Sequence, residues 1–391
     1  MLNTSLSPWP SFTQEEADAV SKVLLSNKVN YWTGTECREF EKEFAAFAGT
    51  QYAVAVANGT LALDVALKAM GIGAGDDVIV TSRTFLASAS CIVTAGANPV
   101  FADVDLNSQN ISAETIKAAL TPNTKAIIVV HLAGMPAEMD GIMDLAKEHN
   151  LWVIEDCAQA HGAKYKGKSV GSIGHVGAWS FCQDKIMTTG GEGGMVTTND
   201  KELWRKMWSY KDHGKSYDAV YHREHAPGFR WLHESFGTNW RMMEMQAVIG
   251  RIQLKRMSEW TARRQAHAAK LAESLGKFAS IRLIEVADYI EHAQYKFYAF
   301  VKPEHLKDSW TRDRIVNELN ARKVPCYQGS CSEVYLEKAF DNTPWRPKER
   351  LKNAVELGDT SLMFLVHPTL TDDEIAFCKE HIEAVLAEAT A

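Results

Sequence analysis

The sequence predicts an α/β fold: a large domain built on a mainly parallel β-sheet flanked by helices, then a smaller C-terminal α+β domain. Three observations point there. Between residues 52 and about 200, short β-branched runs alternate with stretches of helical periodicity. Those runs are apolar almost throughout, the pattern of strands covered on both faces. Past residue 200 the alternation stops, and a long helical stretch leads into a segment of mixed strand and helix patterns.

Each element has its own signal. Thr13 and Glu16 are spaced as a capping box ahead of Ala17, Val20, Val23 and Leu24, an apolar stripe at helical spacing. A second helix is expected over 37–48, where Phe40, Phe44 and Phe47 form a core-facing stripe. The runs at 78–82, 99–105, 126–132, 151–157, 176–182 and 194–199 read as strands, separated by helical stretches such as 61–70, 112–120 and 137–149. Residues 241–275 read as a long helix carrying Met245, Val248, Ile252 and Met257. The string YKFYAFV at 295–301 is strand-like, and Thr371 with Glu374 caps a last helix. At roughly 150 residues per domain, 391 residues make two or three domains. The change of pattern divides them into a large domain, 1–255, and a small one, 256–391.

Composition narrows the function. Hydrophobic residues make up 46% and charged residues 23%, close to the soluble globular average, which excludes a disordered or fibrous chain. Forty-nine acids against 42 bases give a net charge of -7 with no basic tract, so nucleic acid is not an expected partner. The seven cysteines are odd in number and none are spaced CxxC, indicating neither a disulfide framework nor a zinc knuckle. The N-terminal MLNTSLSPWPSFTQEE lacks the basic and apolar regions of a signal peptide, and no apolar stretch approaches the ~18 residues of a membrane span. A reduced, cytoplasmic protein without a membrane partner is expected.

Four segments, each just past an expected strand or opening a helix, carry candidate chemistry. Asn58-Gly59-Thr60 precedes the helix LALDVALKAM; small polar residues at a helix start serve as an N-cap, and the free N–H groups there also attract anions. Glu155-Asp156 closes an apolar strand, and at least one carboxylate there needs a partner, which a cationic ring nitrogen, a metal or an arginine could supply. His161, a few residues on, reads as a structural histidine because no second ligand stands at metal spacing. Lys185 follows the run Trp179-Ser180-Phe181 and precedes the glycine-rich stretch 190–194; a lysine there is either a solvated loop residue or, if desolvated, an amine nucleophile. Gly237-Thr238-Asn239-Trp240-Arg241 is polar, precedes a helix, and reveals no chemistry by spacing. Gly71-Ile72-Gly73-Ala74-Gly75 follows a helix, so it reads as a C-terminal turn and not a dinucleotide fingerprint. His213, His222, His225 and His233 lack zinc spacing, and no metal site is expected.

Taken in order, these strings resemble the DegT/DnrJ/EryC1/StrS family of pyridoxal-phosphate sugar aminotransferases, of the aspartate-aminotransferase fold (fold type I). The resemblance is detailed over about 30–255 and rests on Asn58-Gly59-Thr60, Thr84-Phe85-Leu86-Ala87-Ser88, His131-Leu132-Ala133-Gly134, Glu155 to Gly162, Ser180-Phe181 to Lys185, Gly191-Glu192-Gly193-Gly194 and Asn239-Trp240-Arg241. It implies a seven-stranded sheet and pyridoxal 5'-phosphate as cofactor, with pyridoxamine phosphate as its aminated form. Lys185 would be the catalytic residue, attaching the cofactor and shuttling a proton. Asp156 would pair with the ring nitrogen, Gln159 with the phenolic oxygen, and Phe85 would stack on the ring. Gly59, Thr60 and Ser180 would hold the phosphate, and Asn239 would reach the phosphate of a neighbouring subunit, making a homodimer with shared active sites. Two departures bear on the site. Asp184, beside Lys185, is expected to point away from it. Arg83 precedes Thr84-Phe85 where the family often has a small or aromatic residue, and it reads either as a contact to an anionic substrate group or as surface.

The resemblance implies transfer of an amino group from glutamate to a nucleotide-linked keto sugar. The C-terminal strings 328–336 and 365–369 look most like members that act on UDP-2-acetamido-2,6-dideoxy-4-keto-hexose, on the bacillosamine route. GDP- or dTDP-linked 4-keto sugars and 3-keto sugars are the alternatives. Three rival readings fit less well. Sugar 3-dehydratases place histidine where Lys185 stands. A non-catalytic pyridoxal-phosphate-binding regulator would carry a basic DNA-binding module, and none is visible. A nicotinamide oxidoreductase lacks its strand–GxGxxG–helix unit here.

Overall fold

The computed structural model describes residues 6–391; residues 1–5, part of the stretch read above for targeting, lie outside the described residues. Helix α1 (Gln14–Leu25) starts at the expected capping box, with the Glu16 carboxylate accepting the Thr13 N–H at 2.6 Å. Its inward face differs from the expected stripe. Val23 is buried, but Leu24 is 56% exposed, because Glu16 itself turns inward to accept from Gln253 and Arg256. A polar bridge therefore sets how α1 docks. In α2 (Glu36–Ala48), Phe40 and Phe44 are fully buried as expected, and the helix ends at Gly49 in the left-handed region.

The large sheet contains β1 (Tyr52–Val56), β2 (Asp77–Thr81), β3 (Asn98–Ala102), β4 (Thr124–Val130) and β5 (Trp152–Asp156). After the hairpin β6 (Lys164–Tyr165) and β7 (Lys168–Ser169) it is completed by β8 (Val176–Ser180) and β9 (Gly194–Thr198). The seven strands lie in the order β1-β9-β8-β5-β4-β2-β3, and β9 alone runs against its neighbours. Strand β1 lacks a β-branched run of its own, because its alanines dilute that signal.

Alternate residues serve opposite faces, as a period of two requires. Val54, Val56, Val78, Val80, Ile128 and Ile154 pack with α3 (Gly59–Met70), α4 (Ala87–Thr94) and α7 (Lys201–Tyr210). Ala53, Ala55, Ile79, Ile127, Val129 and Val153 face the other way, towards α2, α5 (Ala113–Ala119), α6 (Met139–Glu148) and the long helix that follows the short α8 (Tyr217–Tyr221). That long helix, α9 (Glu244–Leu275), is continuous through the expected 255/256 junction. Its start lends Ala247 and Met257 to the core beneath the large sheet, and its end lends Ala268, Leu271 and Leu275 to a second core.

The second core lies on an antiparallel sheet of β10 (Ile281–Leu283), β12 (Phe297–Val301), β13 (Cys326–Tyr327) and β14 (Ser361–Phe364), in the order β10-β12-β14-β13. The short β11 (Ile290–Glu291) instead pairs with β6. Helices α10 (Arg312–Ala321) and α12 (Asp372–Ala389) pack on this sheet, with α11 (Lys352–Thr360) between them in the chain. The Thr371–Glu374 capping box opens α12. We propose the division into 1–255 and 256–391, with α9 shared between both. Among the described residues no helix is long and apolar enough to cross a membrane.

Of the acidic pair closing β5, Glu155 is structural. Fully buried, it accepts the N–H groups of Gly171, Ile173 and Gly174 at 2.6–2.8 Å, and His131 Nε2–H at 2.9 Å. The ring proton is on Nε2 because Nδ1 accepts from Ala137 N–H. Burial alone would raise this carboxyl, but His131 and the backbone donors outweigh it and hold it below the ordinary range. His131, Glu155 and Cys157 form the trio among the described residues close enough to share an ion, yet the first two already spend their donor atoms in this clamp. Because the folded carboxyl titrates below its unfolded value of about 4.3, its stabilisation is full above that pH and is lost as pH falls through the folded value. Glu155→Ala should cost about 3–5 kcal/mol at neutral pH, and urea unfolding from neutral to acid pH should show a flatter acid limb than wild type.

Candidate active site

At the carboxyl edge of the large sheet, where such sheets gather ligands, a cavity of about 560 Å³ opens between β2, β5, β8 and the start of α3. The Asn58 side chain caps α3 by accepting Leu61 N–H at 3.0 Å, and Gly59 and Thr60, whose first-turn N–H groups have no intrahelical acceptors, line the cavity. A Cβ on Gly59 would stand 2.5 Å from Ser180 Cβ, and one on Gly194 would strike the Asn58 carbonyl. Glycine at both positions lets the helix start press against β8 and β9.

Asp156 lies at the opposite part of the lining. Its carboxylate accepts Ser88 Oγ–H at 2.8 Å and Ala158 N–H at 3.1 Å. Burial pushes its carboxyl up from the ordinary value, against those two donors and the positive charge of Lys185. Gln159 Oε1 accepts Ala133 N–H at 2.8 Å, which leaves the amide NH₂ as the free donor. Lys185 is part-buried, its Nζ 3.9 Å from Asp184 Oδ1 and 5.4 Å from the centre of the Tyr295 ring. Its backbone carbonyl accepts Trp9 Nε1–H at 2.8 Å. Phe85 stands at the mouth, 70% exposed.

Seven of the eight expected site residues, namely Gly59, Thr60, Phe85, Asp156, Gln159, Ser180 and Lys185, thus line one cavity. Asn239 does not; it is exposed outside that lining. Asp184, expected to point away from Lys185, turns one oxygen towards it instead. One of its oxygens accepts the Tyr295 hydroxyl at 2.5 Å while the other faces Lys185. Burial would raise the Asp184 carboxyl, but Lys185 and Tyr295 outweigh it and hold it below the usual range. Arg83 is neither surface nor lining. Fully buried, it donates to Gln109 Oε1 and Ser361 Oγ and lies 5.6 Å from the Tyr298 ring centre. His161 is buried among Phe44, Trp179 and Phe181, and burial lowers its pKa to about 3, so it packs as a neutral ring. Two residues that shape the site have no role in the sequence reading: Ser88, four residues after Thr84 and bonded to it, and Tyr295, whose contact with Asp184 spans 111 positions.

The sequence profile described as the DegT/DnrJ/EryC1/StrS aminotransferase family matches residues 10–383. The chain belongs to that family. An aminotransferase from Psychrobacter cryohalolentis, solved by X-ray, is 66% identical and superposes with a TM-score of 0.96 over 98% of this chain and 99% of that one. The GDP-perosamine synthase of Escherichia coli O157:H7 is 42% identical over 95% of this chain and 96% of that protein. The UDP-N-acetyl-3-dehydro-alpha-D-glucosamine 3-aminotransferase of Acidithiobacillus ferrooxidans is 43% identical over 91% and 90%. Aminotransferases of this family depend on pyridoxal phosphate, and the fold is that of fold type I.

The lining fits such a cofactor. A helix N-terminus bared by glycine suits a phosphate, a buried carboxylate suits a protonated ring nitrogen, and an amine stands in the same cavity. Ser88→Ala should leave Asp156 Oδ2 without its hydroxyl donor, raising that carboxyl further and costing about 1–3 kcal/mol; carboxyl-labelled NMR titration and thermal melting would register both.

Proposed function

We propose that this aminotransferase moves an amino group from glutamate to a nucleotide-linked 4-keto-6-deoxy sugar, best matched by UDP-2-acetamido-2,6-dideoxy-4-keto-hexose, in the cytoplasm and as a homodimer with shared active sites. The observation that carries the reading is the meeting of the Lys185 amine, the Asp156 carboxylate and the α3 N-terminus in one cavity. The choice of sugar rests on the C-terminal strings 328–336 and 365–369, and GDP- or dTDP-linked 4-keto or 3-keto sugars are the alternatives.

Bound pyridoxal phosphate supplies an aldehyde that takes up the amino group and a ring that accepts electrons from the reacting carbon. The chain's own residues do the rest. Gly59, Thr60 and Ser180 bind the phosphate through N–H and hydroxyl groups at the positive end of α3. Asp156, steadied by Ser88 and Ala158, keeps a proton on the ring nitrogen. The Gln159 NH₂ donates to the phenolic oxygen, its orientation fixed by Ala133. Phe85, at the mouth, would cover one ring face. Lys185 would hold the cofactor through its amine and would move a proton at the reacting carbon.

The dimer reading is supported by Asn239, whose exposed side chain sits in a stretch that also bares Phe229 (74%), Trp231 (78%) and Phe236 (100%). In a homodimer Asn239 would reach the phosphate bound by the neighbouring copy.

Lys185→Ala should still bind the cofactor noncovalently while turnover falls by about 10²–10⁴-fold or more, and borohydride treatment of wild type with peptide mapping should place a pyridoxyl group on Lys185. Asp156→Asn should lower both cofactor affinity and rate; an unchanged rate would reject its role. Purified protein mixed with glutamate and a panel of nucleotide keto sugars should aminate the UDP-linked 4-keto sugar, read by mass and NMR; preferential amination of a GDP-, dTDP- or 3-keto sugar would replace the proposed substrate.

A further inference from the structure

Asn239 is held by an unusual amount of structure for an exposed residue. Its backbone bridges to Asp212, while His213 N–H donates to Thr238 O and Trp240 N–H to Lys211 O, each at 2.9 Å. On its other side Ala57 N–H donates to Trp240 O at 2.9 Å, and Val56 bridges to Arg241. A Cβ at Gly237 would stand 2.5 Å from both Gly214 N and Tyr210 O, so the two segments lie in backbone contact. Among the described residues the Asn239 side-chain amide makes no hydrogen bond; the backbone is fixed and the amide is presented.

One buried side chain organises this clamp. Asp212, fully buried, takes Trp32 Nε1–H on Oδ2 and both Lys215 Nζ and Arg241 Nη1 on Oδ1, each at 2.8 Å. Lys215 in turn lies 4.3 Å from the Trp32 ring centre. Burial alone would raise the Asp212 carboxyl, but Lys215 and Arg241 outweigh it, so it stays ionised and bonds its donors with full charge.

We propose that Asp212 is a positioning residue for cofactor binding between subunits: by fixing Arg241 and the 238–241 segment, it holds the Asn239 amide ready for the phosphate in a neighbouring copy's cavity. The inference rests on the shared-site reading above. A donor already ordered before binding loses less freedom when the phosphate arrives, so loosening the clamp should weaken phosphate-dependent affinity through Asn239.

The test uses full-length protein stripped of cofactor and titrated with pyridoxal phosphate and, separately, with pyridoxal, which lacks the phosphate. Asp212→Asn, which keeps the shape and removes the charge, should weaken pyridoxal phosphate binding about tenfold and leave pyridoxal binding within twofold of wild type. Asp212→Ala should do the same more severely. Combining Asp212→Asn with Asn239→Ala should cost no more than Asn239→Ala alone, because the aspartate acts through the asparagine. Additive losses, equal weakening of pyridoxal, or unchanged pyridoxal phosphate affinity in Asp212→Asn would overturn the proposal. If Asn239→Ala itself leaves pyridoxal phosphate binding intact, the shared-site reading fails and this proposal with it. If Asn239→Ala loosens binding and Asp212→Asn does not, only the positioning role is lost.

Discussion

The close approach of the first turn of α3 to strands β8 and β9 is the constraint on which the rest of the cavity depends. A helix start carries uncompensated N–H groups, and burying them without acceptors is costly. Here the cost is limited because the turn opens into a cavity, and the approach is possible because positions 59 and 194 carry no Cβ. Ser180, at the end of β8, is thereby brought against the same turn. A side chain at either glycine would push the helix away and dissolve the cradle, however well the sheet itself were formed.

Charge is arranged around that cradle with a clear division of labour between two adjacent acids. Glu155 points to one side of β5 and is saturated by backbone donors and His131; Asp156 points to the other and keeps only two donors. The alternation of side chains along a strand is what separates them. One acid secures the loop after β7, and the other is left for the cavity. Lys185, the opposite charge, stands beside Asp184, whose second oxygen is engaged by Tyr295. The small antiparallel sheet takes part through this contact, because Tyr295 lies just before β12.

The stretch around Asn239 obeys a different logic. Its backbone is pinned to residues 211–213 and to the end of β1, the strand that leads directly into the α3 cradle. The segment proposed to reach a neighbouring copy is thus anchored to the part of the fold that builds the chain's own cavity.

Much of this was legible in the sequence. Helix starts at Thr13 and Thr371, the aromatic stripe of α2 and most strands of the large sheet are set by nearest-neighbour chemistry: caps, periodicity and β-branched runs. Seven of the eight residues that the family resemblance singles out share one cavity, whereas each short string taken by itself also reads as a cap, a turn or a loop. What sequence could not decide was contact between distant segments. It could not say that Glu16 would turn inward towards α9, that Asp184 would share itself between Lys185 and a tyrosine 111 positions away, or that Arg83 would be buried beside β12 and β14. Those outcomes depend on which faces meet once the elements pack. Local sequence determines the elements and their ends; only tertiary packing decides which charges become partners, because a partner's position is fixed by the whole fold and not by spacing along the chain.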